Sequence, residues 1–201
     1  MIGIIDYDAG NIKSVEKAVE YLGYDSCVTR DPEMLLKADH VILPGVGAFG
    51  DAMDRLNRYD LVDVIHKIVH KGTPFLGICL GLQLMFESSE ESTGVKGLCL
   101  LPGRILRIPE EEGLKIPHIG WNSLSFPKES KLFKGVSEGE FVYFVHSYYL
   151  DAANLSDVAA TTKYGTLIHA AVEKDNIFAC QFHPEKSSEV GLKILKNFLE
   201  I

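Results

Sequence analysis

Thr73-Pro74-Phe75-Leu76-Gly77-Ile78-Cys79-Leu80-Gly81-Leu82-Gln83 decides the fold of this chain. The run up to Ile78 is apolar and reads as a buried strand. Leu80 to Glu87 is mostly strong helix formers, so a helix follows with no room for a loop. Between them stands Gly77-Ile78-Cys79-Leu80-Gly81, the thiol counterpart of the Gly-x-Ser-x-Gly elbow, in which a sharp strand-to-helix turn presents the reacting atom above a sheet edge. Glycine on both sides suits a turn too tight for a Cβ. Cys79 then lies at a helix N-terminus, where unpaired N–H groups favour thiolate.

Outward from this corner, short β-rich runs alternate with amphipathic helical segments through the first half. That is the pattern of an α/β doubly wound, mostly parallel sheet. Ile2 to Asp6 reads as a strand. Asn11 then caps a helix with Ile12, Val15, Val19 and Leu22 on its apolar stripe and Gly23 at its close. Ser26 to Thr29 is a second strand, Asp31-Pro32 opens a short helix through Leu36, and His40 to Leu43 is a buried strand. Leu61, Ile65, Ile68 and Val69 mark a helix ending at Gly72. Beyond Leu98 come strands and turns: Arg104 to Ile108, Phe141 to Tyr149, Val158 to Thr162, Leu167 to Glu173 and Ile177 to Phe182. They read as an added antiparallel or mixed strand layer, followed by a helix over Ser188 to Leu199.

With 201 residues, 46% of them hydrophobic, the chain fits one domain spanning residues 1–201 around one substantial core. Its formal net charge of -8 argues against a nucleic-acid partner or an anionic membrane surface. The N-terminus lacks a basic leader, and the longest apolar run, Pro74 to Leu82, is far below a membrane span. Cysteines 27, 79, 99 and 180 show neither a C-x-x-C pair nor zinc-site spacing, so neither a disulfide framework nor a metal is expected. A free working thiol suits the cytoplasm.

A thiol nucleophile needs a base, and His183-Pro184-Glu185 follows the apolar run Ile177 to Phe182. Proline biases His183 to an extended conformation, which turns Glu185 to the same side. His183 would take the thiol proton and return it to a leaving amine, while Glu185 orients the imidazole and steadies its charge. Negative charge must also develop somewhere. The backbone of Gly45, Val46 and Gly47, after the third strand, and the N–H of Leu80 are the candidate oxyanion donors. Gly45-Val46-Gly47-Ala48-Phe49-Gly50 also matches the dinucleotide pattern G-x-G-x-x-G. It follows the wrong strand, however, and the next strand carries no acidic tip for a ribose, so no cofactor is expected.

At these motifs the chain resembles the class I (triad-type) glutamine amidotransferases, whose nucleophile and base pattern is Gly-Ile-Cys-Leu-Gly-Leu-Gln with a distant His-Pro-Glu. Pro-Gly-Val-Gly-Ala-Phe-Gly at 44 to 50, Pro-His-Ile-Gly-Trp-Asn at 117 to 122, Tyr-Phe-Val-His-Ser-Tyr at 143 to 148 and Gln-Phe-His-Pro-Glu-Lys-Ser-Ser at 181 to 188 are similar to one branch, the glutaminase subunits of imidazole glycerol phosphate synthases. The likeness runs from residue 1 to the end. Asp8 departs from it where glycine is usual, and Ile119 where methionine is.

The resemblance implies that Cys79 attacks the γ-carboxamide of glutamine to give a thioester, ammonia and, after hydrolysis, glutamate. It implies further that Gln83 and Glu91 hold the amino-acid end of the substrate, with backbone contacts from His146, Ser147 and Tyr148. It supplies a partner, a cyclase subunit of (β/α)8-barrel fold in a heterodimer, which would take the ammonia to make imidazole glycerol phosphate and AICAR ribotide in histidine biosynthesis. Asn11, Trp121, Asn122 and Lys186 are the interface candidates, the tryptophan because large aromatics concentrate at interface hot spots. The glycines of the 44–47 loop allow either a carbonyl or an N–H to face Cys79, so the isolated subunit is expected to keep its oxyanion site unformed until the partner shifts it. Three competing readings come from other classes: a glutaminase for another synthase, a thiol peptidase or γ-glutamyl hydrolase, and a silent binding subunit.

Overall fold

The computed structural model describes all 201 residues. In chain order the elements are β1 (Ile2–Ile5), α1 (Ile12–Tyr21), β2 (Ser26–Thr29), α2 (Pro32–Lys37), β3 (His40–Leu43), α3 (Phe49–Arg58), α4 (Leu61–His70), β4 (Phe75–Ile78) and α5 (Leu80–Leu84). The second half adds β5 (Ser88–Ser89), β6 (Gly103–Arg107), β7 (His118–Ser123), β8 (Phe141–His146), β9 (Tyr148–Ala152), β10 (Val158–Tyr164), β11 (Thr166–Lys174), β12 (Ile177–Cys180) and α6 (Ser188–Leu199).

One 7-stranded sheet, in the order β10-β11-β12-β4-β3-β1-β2, organises the molecule. Strands β2, β1, β3, β4 and β12 run parallel, and β11 and β10 continue the same sheet antiparallel at one edge. The expected added layer is therefore partly an extension of the main sheet. Two small sheets, β5-β6-β9 and β7-β8, form the rest of it.

Alternation along the parallel strands divides the core in two. Ile5, Val41, Leu43, Phe75 and Ala179 face α2, α3 and α4 through Leu35, Phe49, Leu56, Ile65 and Ile68. Ile4, Ile42, Leu76, Ile78 and Phe178 face α1 and α6 through Val15, Val19, Ile194, Leu195 and Phe198. Period-2 alternation in the strands meets helical stripes on both sides, which is what double winding requires.

Three local differences from the sequence reading have physical causes. Residues 141–149 form two strands that part at Ser147, because β8 pairs with β7 while β9 pairs with β6. Helix α3, where the sequence pattern shows only a connection, has its first N–H groups bonded from outside: Phe49 donates to Glu91 Oε2 at 2.7 Å and Gly50 to Ser92 Oγ at 3.0 Å. Asn11 stands at the N-cap position of α1 in the left-handed region (φ 71), and its side chain makes no capping bond. Its amide is committed elsewhere.

Candidate active site

Four adjacent parallel strands, β1, β3, β4 and β12, end on one edge of the sheet, and the segments leaving their carboxyl ends build the site. This is where open α/β sheets place their ligands. Leaving β4, the chain turns so sharply that Cys79 takes φ 55 and ψ -107, a conformation that costs a non-glycine residue about 1–3 kcal/mol. The corner closes because position 81 is glycine. A Cβ there would overlap the Leu43 carbonyl oxygen of β3.

Beyond β12 come Gln181 and His183. His183 keeps extended backbone (φ -99, ψ 97), but Pro184–Lys186 forms a single 3₁₀ turn, so Glu185 reaches the imidazole by curling back and not along an extended strand. The result is a wholly buried pair, His183 Nδ1 to Glu185 Oε1 at 2.7 Å. Asn11 Nδ2 donates to the same carboxylate oxygen at 2.6 Å. His183 Nε2 is buried without a hydrogen-bond partner of its own and is left for Cys79. Burial acts most strongly on His183 and disfavours its charge, but hydrogen bonding and attraction from Cys79 and Glu185 together raise its pKa to about 9. Burial likewise opposes the charge of Glu185, and the imidazole and Asn11 overcome it, holding the carboxyl below its ordinary value. The pair is poised as imidazolium and carboxylate.

A pocket of about 270 Å³ opens beside the sulfur, lined by Val46, Gly47, Cys79, Leu80, Gln83, Glu91, Pro117, Val145, His146, Ser147 and Tyr148. Every residue assigned to substrate contact from the sequence lies on this wall. Gln83 is buried, with its Nε2 donating at 3.0 Å to both the Tyr148 carbonyl and Gln181 Oε1. His146 is buried, donates Nδ1–H to the Tyr148 carbonyl at 2.9 Å, and meets His118 Nδ1 through Nε2 at 3.1 Å. His118 stacks on Tyr164 with ring centroids 3.8 Å apart. Burial pushes His118 down to about 4 and His146 to about 3, the latter helped by repulsion from His118 and His183. These two rings are neutral.

On the oxyanion side, the Leu80 N–H donates to the Gly45 carbonyl at 3.3 Å. A carbonyl therefore occupies a donor that would face an oxyanion. Position 45 must be glycine for this approach, since a Cβ would collide with the Tyr7 hydroxyl. That hydroxyl donates to the Pro44 carbonyl at 2.8 Å. Burial, with Cys79 nearby, keeps it protonated by raising its pKa far above the ordinary tyrosine value.

The interface candidates divide. Trp121 is half exposed, and with Ile119 and Phe141 it forms an apolar outer face on the β7-β8 pair. Lys186 lines an open groove with Asn11, Lys13, Glu16 and Val46. Asn122 is engaged within the fold, donating to the Lys163 carbonyl at 3.0 Å and accepting from Ser123 N–H at 2.9 Å. The departure at Asp8 is accommodated: its backbone adopts φ 61, its carboxylate receives Arg30 at 2.7 Å and the Tyr59 hydroxyl, and Arg55 bonds its carbonyl at 2.6 Å. Sequence reasoning missed Tyr7, His118 and Gln181. For Gln181 a signal existed, since it lies two residues before His183 and shares its side of the chain.

Residues 3–201 match the family model described as "Glutamine amidotransferase class-I". The chain belongs to the class I glutamine amidotransferases. As a member of that family it is similar, at 52% identity with 98% of each chain covered, to the protein of Syntrophotalea carbinolica named "Imidazole glycerol phosphate synthase subunit HisH". The protein of the same name from Caldanaerobacter subterraneus is 51% identical over 100% of this chain and 98% of its own. Among solved structures, one titled "Crystal structure of glutamine amidotransferase" superposes with a TM-score of 0.78 at 19% identity, covering 99% of this chain and 97% of its own. That likeness concerns the fold.

Proposed function

We propose that this amidotransferase is the glutaminase subunit of an imidazole glycerol phosphate synthase and works in histidine biosynthesis. The observation that carries the chemistry is Cys79 on a strained elbow, with the buried His183–Glu185 pair coupled to it beside a small pocket. Full-length identity of about one half to proteins of that name supports the pathway.

With the Cys79 proton already held on His183 Nε2, the thiolate sulfur bonds to the γ-carboxamide carbon of glutamine. His183 returns the proton to the nitrogen as the C–N bond breaks, releasing ammonia and leaving a γ-glutamyl thioester. Water, deprotonated by His183, then displaces the thiolate and glutamate leaves. Glu185 holds the imidazolium throughout, and Asn11 holds Glu185. Gln83, Glu91 and the 146–148 backbone bind the amino-acid end.

Ammonia released into water becomes unreactive ammonium, so it is delivered to a partner. That partner is a cyclase subunit of (β/α)8-barrel fold in a heterodimer, which uses the ammonia to form imidazole glycerol phosphate and AICAR ribotide. The apolar Ile119-Trp121-Phe141 face and the groove at Lys186 suit the contact. The Gly45 carbonyl on the Leu80 N–H supports a resting state in which the oxyanion site is formed only when the loaded cyclase docks. A free thiol of this kind suits the cytoplasm; no helix of the chain is long and apolar enough to cross a membrane.

The test is co-purification with a histidine-pathway cyclase, followed by glutamine-dependent turnover of its ribulosyl substrate. Stable association and glutamine-dependent product support the assignment. A chain that hydrolyses glutamine equally with and without the cyclase and its ligand loses the proposed switch, and one that binds no such cyclase loses the pathway.

A further inference from the structure

Gln181 is fully buried, and its Nε2 lies 3.7 Å from the sulfur of Cys79. The hydrogen bonds behind it leave its amide only one sense. The Tyr148 carbonyl can only accept, and it takes His146 Nδ1–H at 2.9 Å and Gln83 Nε2–H at 3.0 Å. His146 thus presents a bare Nε2 to His118 Nδ1–H at 3.1 Å, while the second Nε2 proton of Gln83 goes to Gln181 Oε1 at 3.0 Å. Gln181 has only Nε2 left for the sulfur. Two runs of neutral donors therefore meet at the Tyr148 carbonyl: one from His118, stacked on Tyr164 and Phe144, through His146, and one from Gln83, whose other amide proton fixes Gln181 toward the nucleophile.

We propose that Gln181 is a further catalytic residue, whose amide N–H steadies the Cys79 thiolate, and that His118 and His146 are positioning residues that brace the Tyr148 carbonyl on which Gln83, and through it Gln181, is oriented. This deepens the reading of Cys79 as the nucleophile and rests on it. The thiolate exists twice in the cycle: after its proton has passed to His183, and when the C–S bond of the thioester breaks and sulfur leaves with the electron pair. In both states a second donor, beside that of His183, lowers the energy of the anion. In the thioester the sulfur carries little charge, and the bond weakens.

The test measures alkylation of Cys79 by iodoacetamide against pH in the full chain, read on the Cys79-bearing peptide by mass spectrometry so that exposed Cys99 does not interfere. Gln181→Met keeps the volume and removes the donor. The rising limb of its alkylation profile is expected to move to higher pH by about one unit, about a ten-fold slower reaction at a given pH on that limb. A folded Gln181→Met protein with an unchanged profile overturns the proposal. The unsubstituted protein supplies an independent reading: the ¹H–¹⁵N signals of the Gln181 side-chain amide should move when Cys79 is alkylated, and signals that stay in place overturn the proposal equally. Neither measurement uses glutamine. Failure of the nucleophile assignment itself shows separately, as glutamine hydrolysis that survives Cys79→Ala.

Discussion

Two buried histidine sites flank the Cys79 pocket, one charged and one neutral. His183 carries its proton up to about pH 9, because Cys79 and Glu185 outweigh the cost of burial. His118 and His146 lie among Phe144, Tyr164 and a backbone carbonyl with no carboxylate to answer them, and burial holds them neutral down to about 4 and about 3. Burial acts on all three in the same direction, so it does not distinguish them. The partners do. In the proposed mechanism the first moves a proton during the reaction, and the second fixes which way hydrogen bonds point.

The largest effect that separates the sites should come from His183→Gln. Glutamine hydrolysis in complex with the proposed cyclase is expected to fall by roughly 10³-fold or more, as when any member of a nucleophile and base unit is lost. The variant should still bind glutamine, checked by calorimetry. A smaller loss is expected for Asn11→Ala, which leaves the Glu185 carboxylate without its 2.6 Å donor. A hydrogen bond to a charged group contributes about 1.5–3 kcal/mol, so turnover should drop by roughly ten- to a hundred-fold with little change in KM. A rise in KM at unchanged kcat would move Asn11 from the triad to the pocket wall. His118→Phe keeps the stack and removes the donor, and should move the alkylation limb of Cys79 to higher pH by less than Gln181→Met does.

The same contrast predicts the pH dependence of stability. His183 has a folded value of about 9 against an ordinary 6.5, so its contribution is complete below about 6.5 and is lost as pH rises through about 9. His118 and His146 have folded values of about 4 and about 3, below 6.5, so theirs is complete above about 6.5 and is lost as pH falls through about 4 and then about 3. Urea midpoints taken across this range should peak near neutrality. His183→Gln should flatten the alkaline limb and, by releasing Glu185, also shift the acid limb, whereas His118→Phe should soften the acid limb alone.

Much of this was legible in the chain because local pattern and tertiary need agree there. The elbow at Cys79, strands β2 and β3 and helix α6 follow from apolar periodicity and punctuation by glycine and proline. Residues read as pocket contacts, from Gln83 to Tyr148, do share one cavity. The failures have a common cause: partners far away in sequence. Asn11 looks like a cap but gives its amide to Glu185, 174 positions on. The break at Ser147 is invisible in an unbroken aromatic run, because it depends on which of two other strands each half pairs with. The sequence pattern places no strand at His118, whose role shows only when β7 lies beside β8 and sets it opposite His146.

The central claim is that the sulfur of Cys79 carries the γ-glutamyl group during turnover. Enzyme working on glutamine with the proposed cyclase, stopped in acid and mapped by peptide mass spectrometry, should carry one γ-glutamyl group on Cys79, and Cys79→Ala should carry none and release no ammonia from glutamine. Ammonia release by Cys79→Ala at the unsubstituted rate, or the acyl group on any other side chain, would contradict it.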